Sequence, residues 1–64
     1  MDRTAFLASL STPALLSERD EARREMDSYL PSEYTTAGYL RAQALYLLAL
    51  AELDRRAAQP ALAA

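Results

Sequence analysis

Ala37-Gly38-Tyr39-Leu40-Arg41-Ala42-Gln43-Ala44-Leu45-Tyr46-Leu47-Leu48-Ala49-Leu50-Ala51-Glu52-Leu53 decides the fold of this chain. Residues 44–51 are eight consecutive apolar residues, drawn from strong helix formers rather than β-branched types. Coiled into a helix, the stretch is apolar nearly all the way round, and such a helix must be covered on several sides. The chain has only 64 residues, so little of it is left to do the covering. A small all-α protein that self-associates is the architecture this conflict implies.

Composition points the same way. The apolar residues are fourteen Ala, twelve Leu, four Tyr, two Met and one Phe, with no Val, Ile or Trp, so a sheet lacks most of its usual side chains. A domain this short buries a modest share of its surface. It is supported by disulfides, a metal, oligomerisation or unusually good helix packing. The absence of Cys removes disulfides, a thiol nucleophile and thiolate metal sites, and the absence of His removes the commonest metal ligand and general base. Oligomerisation is the support that remains, and no cofactor is expected.

Nine acids against seven Arg give a net charge of −2, too acidic for default binding to nucleic acid or a membrane surface. Basic residues that are all Arg, with an excess of Ala, match the codon bias of a GC-rich bacterial or bacteriophage gene. Met1-Asp2-Arg3-Thr4 is not the basic start of a signal peptide, and polar residues soon interrupt Phe6-Leu7-Ala8. The central apolar run is shorter than the ~20 residues that span a bilayer. A cytoplasmic chain with no membrane contact is the expectation.

Outward from the central stretch, Pro31 ends a preceding helix and Pro60 ends the one that contains it. The second helix starts at a cap among Ser32, Thr35 and Thr36 and runs to about Ala58, with Arg55 and Arg56 at its negative end. The helix before it spans about Pro13 to Leu30, with Thr12 as N-cap and Pro13 at its first position. Its apolar stripe is Leu15, Ala22, Met26 and Tyr29, with Leu16 and Leu30 beside it. The stripe is thin between Ser17 and Glu25, where a second start at Ser17 competes with one continuous helix. Phe6, Leu7 and Leu10 suit one or two further helical turns capped by Asp2 or Thr4. Two long helices with a short connection form an antiparallel hairpin. Residues 1–58 are therefore read as one helical-hairpin domain and 59–64 as a flexible tail.

Ala37, Ala44, Ala51 and Ala58 recur every seven residues in the second helix, with Leu40, Leu47 and Asp54 three residues behind the first three. This Ala/Leu series predicts a self-association seam of Leu40, Ala44, Leu47 and Ala51, because small residues let helix backbones approach closely. A two-fold dimer is the commonest closed assembly and would give a four-helix arrangement.

Chemistry is sparse. Glu18, Asp20, Glu21, Glu25 and Asp27 interleave with Arg19, Arg23 and Arg24, which reads as a solvated face with ion pairs at i, i+4. Carboxylate di-metal bundles use Glu-x-x-His pairs, which this chain lacks. Its serines have no His or Lys base, and its single Gly rules out a phosphate-cradling glycine loop. Tyr and Arg are favoured at binding hot spots, so Tyr34 in the connection, with Arg23, Arg24 and Arg41, marks the candidate surface for a partner.

The reading is a non-catalytic interaction protein, an inhibitor, adaptor or regulator acting as a homodimer on a protein partner and possible in a bacteriophage or mobile element. Two alternatives stand beside it: a small nucleic-acid-binding regulator using a doubled Arg face, and a helical subunit of a larger hetero-complex. The last four residues, Ala61-Leu62-Ala63-Ala64, resemble the end of the degradation tag that bacterial tmRNA adds to stalled products and that Clp-type unfoldases recognise. That resemblance implies a short cellular lifetime and nothing about activity.

Overall fold

In a computed structural model, residues 2–59 are described and form three α-helices. These are α1 (Arg3–Ser9), α2 (Thr12–Asp27) and α3 (Ala37–Ala58), with a 3-10 turn at Pro31–Glu33 between the last two. The Ala61–Ala64 tag-like ending and nearly all of the proposed tail lie outside the described residues.

Each helix starts where a short polar side chain takes up a free N–H. Asp2 Oδ1 accepts from the Ala5 N–H at 2.8 Å. Ser11 Oγ accepts from the Ala14 N–H at 3.3 Å, and Thr36 Oγ1 from the Tyr39 N–H at 3.4 Å. The α2 cap corrects the expectation of Thr12: Ser11 is the extended residue, and Thr12 and Pro13 are already helical. Thr12 is thereby free to use its hydroxyl elsewhere. The end of α2 comes at Asp27 rather than Leu30. Pro31 forces Leu30 into an extended conformation (ψ 155°), and the turn before it tightens, with the Ser28 and Tyr29 N–H groups reaching back only three or four residues. Glu33 then closes the connection by accepting the Leu30 N–H at 2.8 Å. Across its thin middle α2 is continuous.

Contacts along the pair run in opposite directions, from Thr12 with Arg56, through Arg23 with Tyr46, to Tyr29 with Tyr39. The long helices are thus antiparallel neighbours. The core is Leu7, Leu15 and Ala49, surrounded by Leu10, Leu45, Leu48 and Leu53, so α1 folds back onto the C-terminal half of α3. Ala22 and Ala42 are also buried. The molecule measures 48 × 22 × 16 Å, a shape only two helices deep, which leaves the far side of α3 uncovered. Among the described residues, no helix is long and apolar enough to cross a membrane.

Candidate interaction surface

With about 100° of rotation per residue, Ala42 and Ala49 fall on one side of α3, and Leu40, Ala44, Leu47 and Ala51 fall on the other. The structure assigns the two sides opposite environments. Ala42 and Ala49 are 2% and 0% exposed against the rest of the fold, while Leu40 and Leu47 are 47% and 56% exposed. Ala51 is exposed and Ala44 half-buried. The four residues of the sequence-predicted seam therefore line one face, and α2 packs on the opposite one. Leu45 and Leu48 are taken up by the core.

A second feature runs along one flank of the α2–α3 pair. The Tyr34 ring stacks on Tyr39 with centroids 4.5 Å apart, and Tyr29 meets Tyr39 edge-on at 5.8 Å. Seven residues further along α3, Tyr46 accepts a long hydrogen bond (3.5 Å) from Arg23, whose guanidinium carbon stands 6.0 Å from the ring centre. Arg23 also reaches Asp27 at 3.5 Å. A cluster of three tyrosines and, one heptad further along α3, a Tyr46–Arg23 pair thus lie along the same flank, with Tyr34 and Arg23 exposed. Arg41 does not join them. It is exposed, but it lies two residues from Tyr39, about 160° round the helix. Arg24 is exposed as well. Asp20 pairs with Arg19 at 2.9 Å, the neighbour before it, rather than with Arg24 as i, i+4 spacing suggested.

The third feature was not visible as a site in the sequence. Glu52 is buried at 8% exposure and accepts from Arg55 at 2.6 and 2.9 Å and from Arg56 at 2.7 Å. Those hydrogen bonds, Arg55 first, hold its carboxyl down at about 2, against the upward push of burial. Arg56 spreads its remaining donors over the α1–α2 connection: Thr12 Oγ1 at 3.0 Å, the Leu7 and Ala8 carbonyls at 3.3 Å each, and the Leu10 carbonyl at 2.7 Å. These carbonyls lie at the end of α1, where the last turn runs out of N–H donors; that of Leu7 also accepts the Leu10 N–H at 3.2 Å. Arg56 was expected only to suit the helix dipole; it is instead the clasp that fastens α1. The one signal available in the sequence was Glu52 itself, an acid beside an apolar run with Arg at both i+3 and i+4.

Between α1 and α3 a small cleft is lined by Thr4, Leu7, Leu48 and Ala51 and closed by Glu52 and Arg55. Its walls carry a carboxylate already neutralised and no nucleophile–base pair. Among the described residues, no group of three or more acidic side chains converges as a metal site would require. Comparison with known protein families, characterised proteins and solved structures returns no match.

Proposed function

We propose that this chain is a non-catalytic helical protein–protein interaction module, in the class of inhibitors, adaptors and regulators, that acts as a homodimer. The observation that carries the reading is the outer face of α3, where Leu40 and Leu47 are about half exposed in line with Ala44 and Ala51. Fully burying a Leu contributes ~1.5–3 kcal/mol. Covering four half-exposed leucines, two per copy, therefore contributes roughly 3–6 kcal/mol, from which the lost translational and rotational freedom of association must still be subtracted. The dimer is accordingly concentration-dependent.

The flank of Tyr34, Tyr39, Tyr46 and Arg23 supplies the surface for a further protein partner, since stacked tyrosines and arginine suit binding hot spots. The pairing of Arg19 with Asp20 and of Arg23 with Asp27 favours a protein over nucleic acid, because those guanidiniums already face acids on their own helix.

The test is solution mass by light scattering, with circular dichroism on the same sample, from about 10 μM to several mM. A helical protein whose mass rises towards twice the monomer supports the reading. A helical monomer throughout the range overturns it and leaves α3 as a docking helix for a different chain.

A further inference from the structure

We infer that the occupant of the outer α3 face is a second copy lying antiparallel, in the register that sets Leu40 against Ala51 and Leu47 against Ala44 of the other copy. The inference rests on the homodimer reading and adds orientation and register to it.

Along the outer face the order is Ala37, Leu40, Ala44, Leu47, Ala51, Asp54. Two copies aligned in parallel would set Leu on Leu and Ala on Ala in alternate layers. The leucines would then hold the backbones apart, and the alanine layers would be left as gaps, whose lining loses its contacts. Running the second copy the opposite way gives Ala–Asp, Leu–Ala, Ala–Leu, Leu–Ala, Ala–Leu and Asp–Ala. Every central layer then has the same thickness, and the series is its own complement, as a two-fold interface requires.

Charge selects the same orientation. In a parallel pair Asp54 would meet the Asp54 of its partner in the seam, a like-charge contact. In the antiparallel pair Asp54 comes over Ala37, the first residue of the opposing α3. That first turn carries no acidic residue of its own, and a carboxylate there is stabilised by the positive end of the helix dipole. Arg41 comes to the side that holds Glu52, whose carboxylate is already shared by Arg55 and Arg56.

Because Ala42 and Ala49 face α2 from the side opposite the seam, the resulting order is α2, α3, α3, α2. The dimer is a flat stack with the two apolar helices inside, rather than a square bundle.

The chain has no Cys, so engineered cysteines report the register directly. Leu40→Cys and Ala51→Cys proteins, both at exposed positions, are mixed under mild oxidation and the products resolved by mass. The register puts Leu40 level with Ala51 of the other copy and leaves the two Leu40 positions about 16 Å apart along the axis. The mixed disulfide is expected to exceed either self-linked product by roughly tenfold or more, since Cα atoms over about 7 Å apart do not bond without backbone movement. Leu40→Cys protein that links to itself as readily as to Ala51→Cys overturns the orientation. A protein whose mass is dimeric but which gives no mixed product overturns the register. In both cases the homodimer reading survives. A monomeric mass over the whole concentration range removes both.

Discussion

The two faces of α3 invert the usual relation between size and burial. On the inner face the fully buried positions are alanines, Ala42 and Ala49, and on the outer face half-exposed positions are leucines, Leu40 and Leu47. Burial alone would favour the reverse. The difference teaches that the inner face is chosen for closeness: small residues let α2 and α3 approach, so that Leu7 and Leu15 from the other elements fill the space beside Ala49. The outer leucines contribute little to the single chain. Their contribution depends on what covers them.

The comparison breaks first at the inner face. Leu15→Ala removes a fully buried side chain and is expected to cost ~3 kcal/mol, a large part of the roughly 3–10 kcal/mol available to a chain of this length. Thermal melting followed by circular dichroism should shift down by roughly 12–24 °C. Leu47→Ala, at a concentration low enough to keep the chain monomeric, is expected to move the melt by only ~0.5 kcal/mol. Equal losses from the two variants would show that the faces are not distinct in the monomer.

Arg56→Ala comes next. It leaves the Ala8 and Leu10 carbonyls without the guanidinium and the Leu7 carbonyl with the Leu10 N–H alone, and is expected to cost ~2 kcal/mol. The exposed Arg55→Ala is expected to cost less, since solvent screens its side of the ion pair. Amide exchange should report the Arg56 loss first in α1. Charge placed on the outer face should do the converse: Ala44→Glu or Ala51→Glu leaves the dilute melt nearly unchanged and weakens association roughly tenfold or more. Both variants keeping the wild-type mass at high concentration would remove the seam from consideration.

The pH response isolates Glu52. Its folded-state value is depressed to about 2 from 4.5. The stability it contributes is therefore fully present above about pH 4.5 and is lost as pH falls towards 2. Wild-type melting temperature should decline through that window, and Glu52→Gln should lack this component of the decline. Gly38→Ala has the smallest expected effect. A Cβ there collides with the Tyr29 hydroxyl and costs the Tyr29–Tyr39 edge contact ~1 kcal/mol, while Ala gains about as much in helix propensity. The net change in melting should be near zero, with altered tyrosine fluorescence as the visible sign.

The helices themselves were legible from proline, caps and residue type. Pro31 ends α2, Thr36 is one of the three caps proposed for α3, and Ala58 ends it as read. The inward face of α3 was not legible. Alanines recur every seven residues both at 37, 44, 51 and 58 and at 42 and 49. In a helix apolar on nearly every side, periodicity does not say which series meets α2. The tyrosine flank was half legible: Tyr39 and Tyr46 share a stripe by spacing, but the stacking of Tyr34 depends on how the connection folds. The Arg56 clasp was legible only at its Glu52 end, by i, i+4 spacing; its other partners, Thr12 and three carbonyls, depend on where α1 ends.

The hydrogen bonds from Arg56 to Leu7, Ala8, Leu10 and Thr12 close 49, 48, 46 and 44 residues of chain. In kinetic terms they are the most expensive contacts to close early, because loop entropy must be spent before they return anything. The hairpin of α2 and α3 needs only a short turn and is expected to form first, with α1, though made earlier on the ribosome, secured last. Contacts that form after the transition state govern escape rather than arrival. Stopped-flow kinetics of Arg56→Ala should accordingly show a raised unfolding limb and an unmoved folding limb, which makes one guanidinium a setting for how long the native state persists.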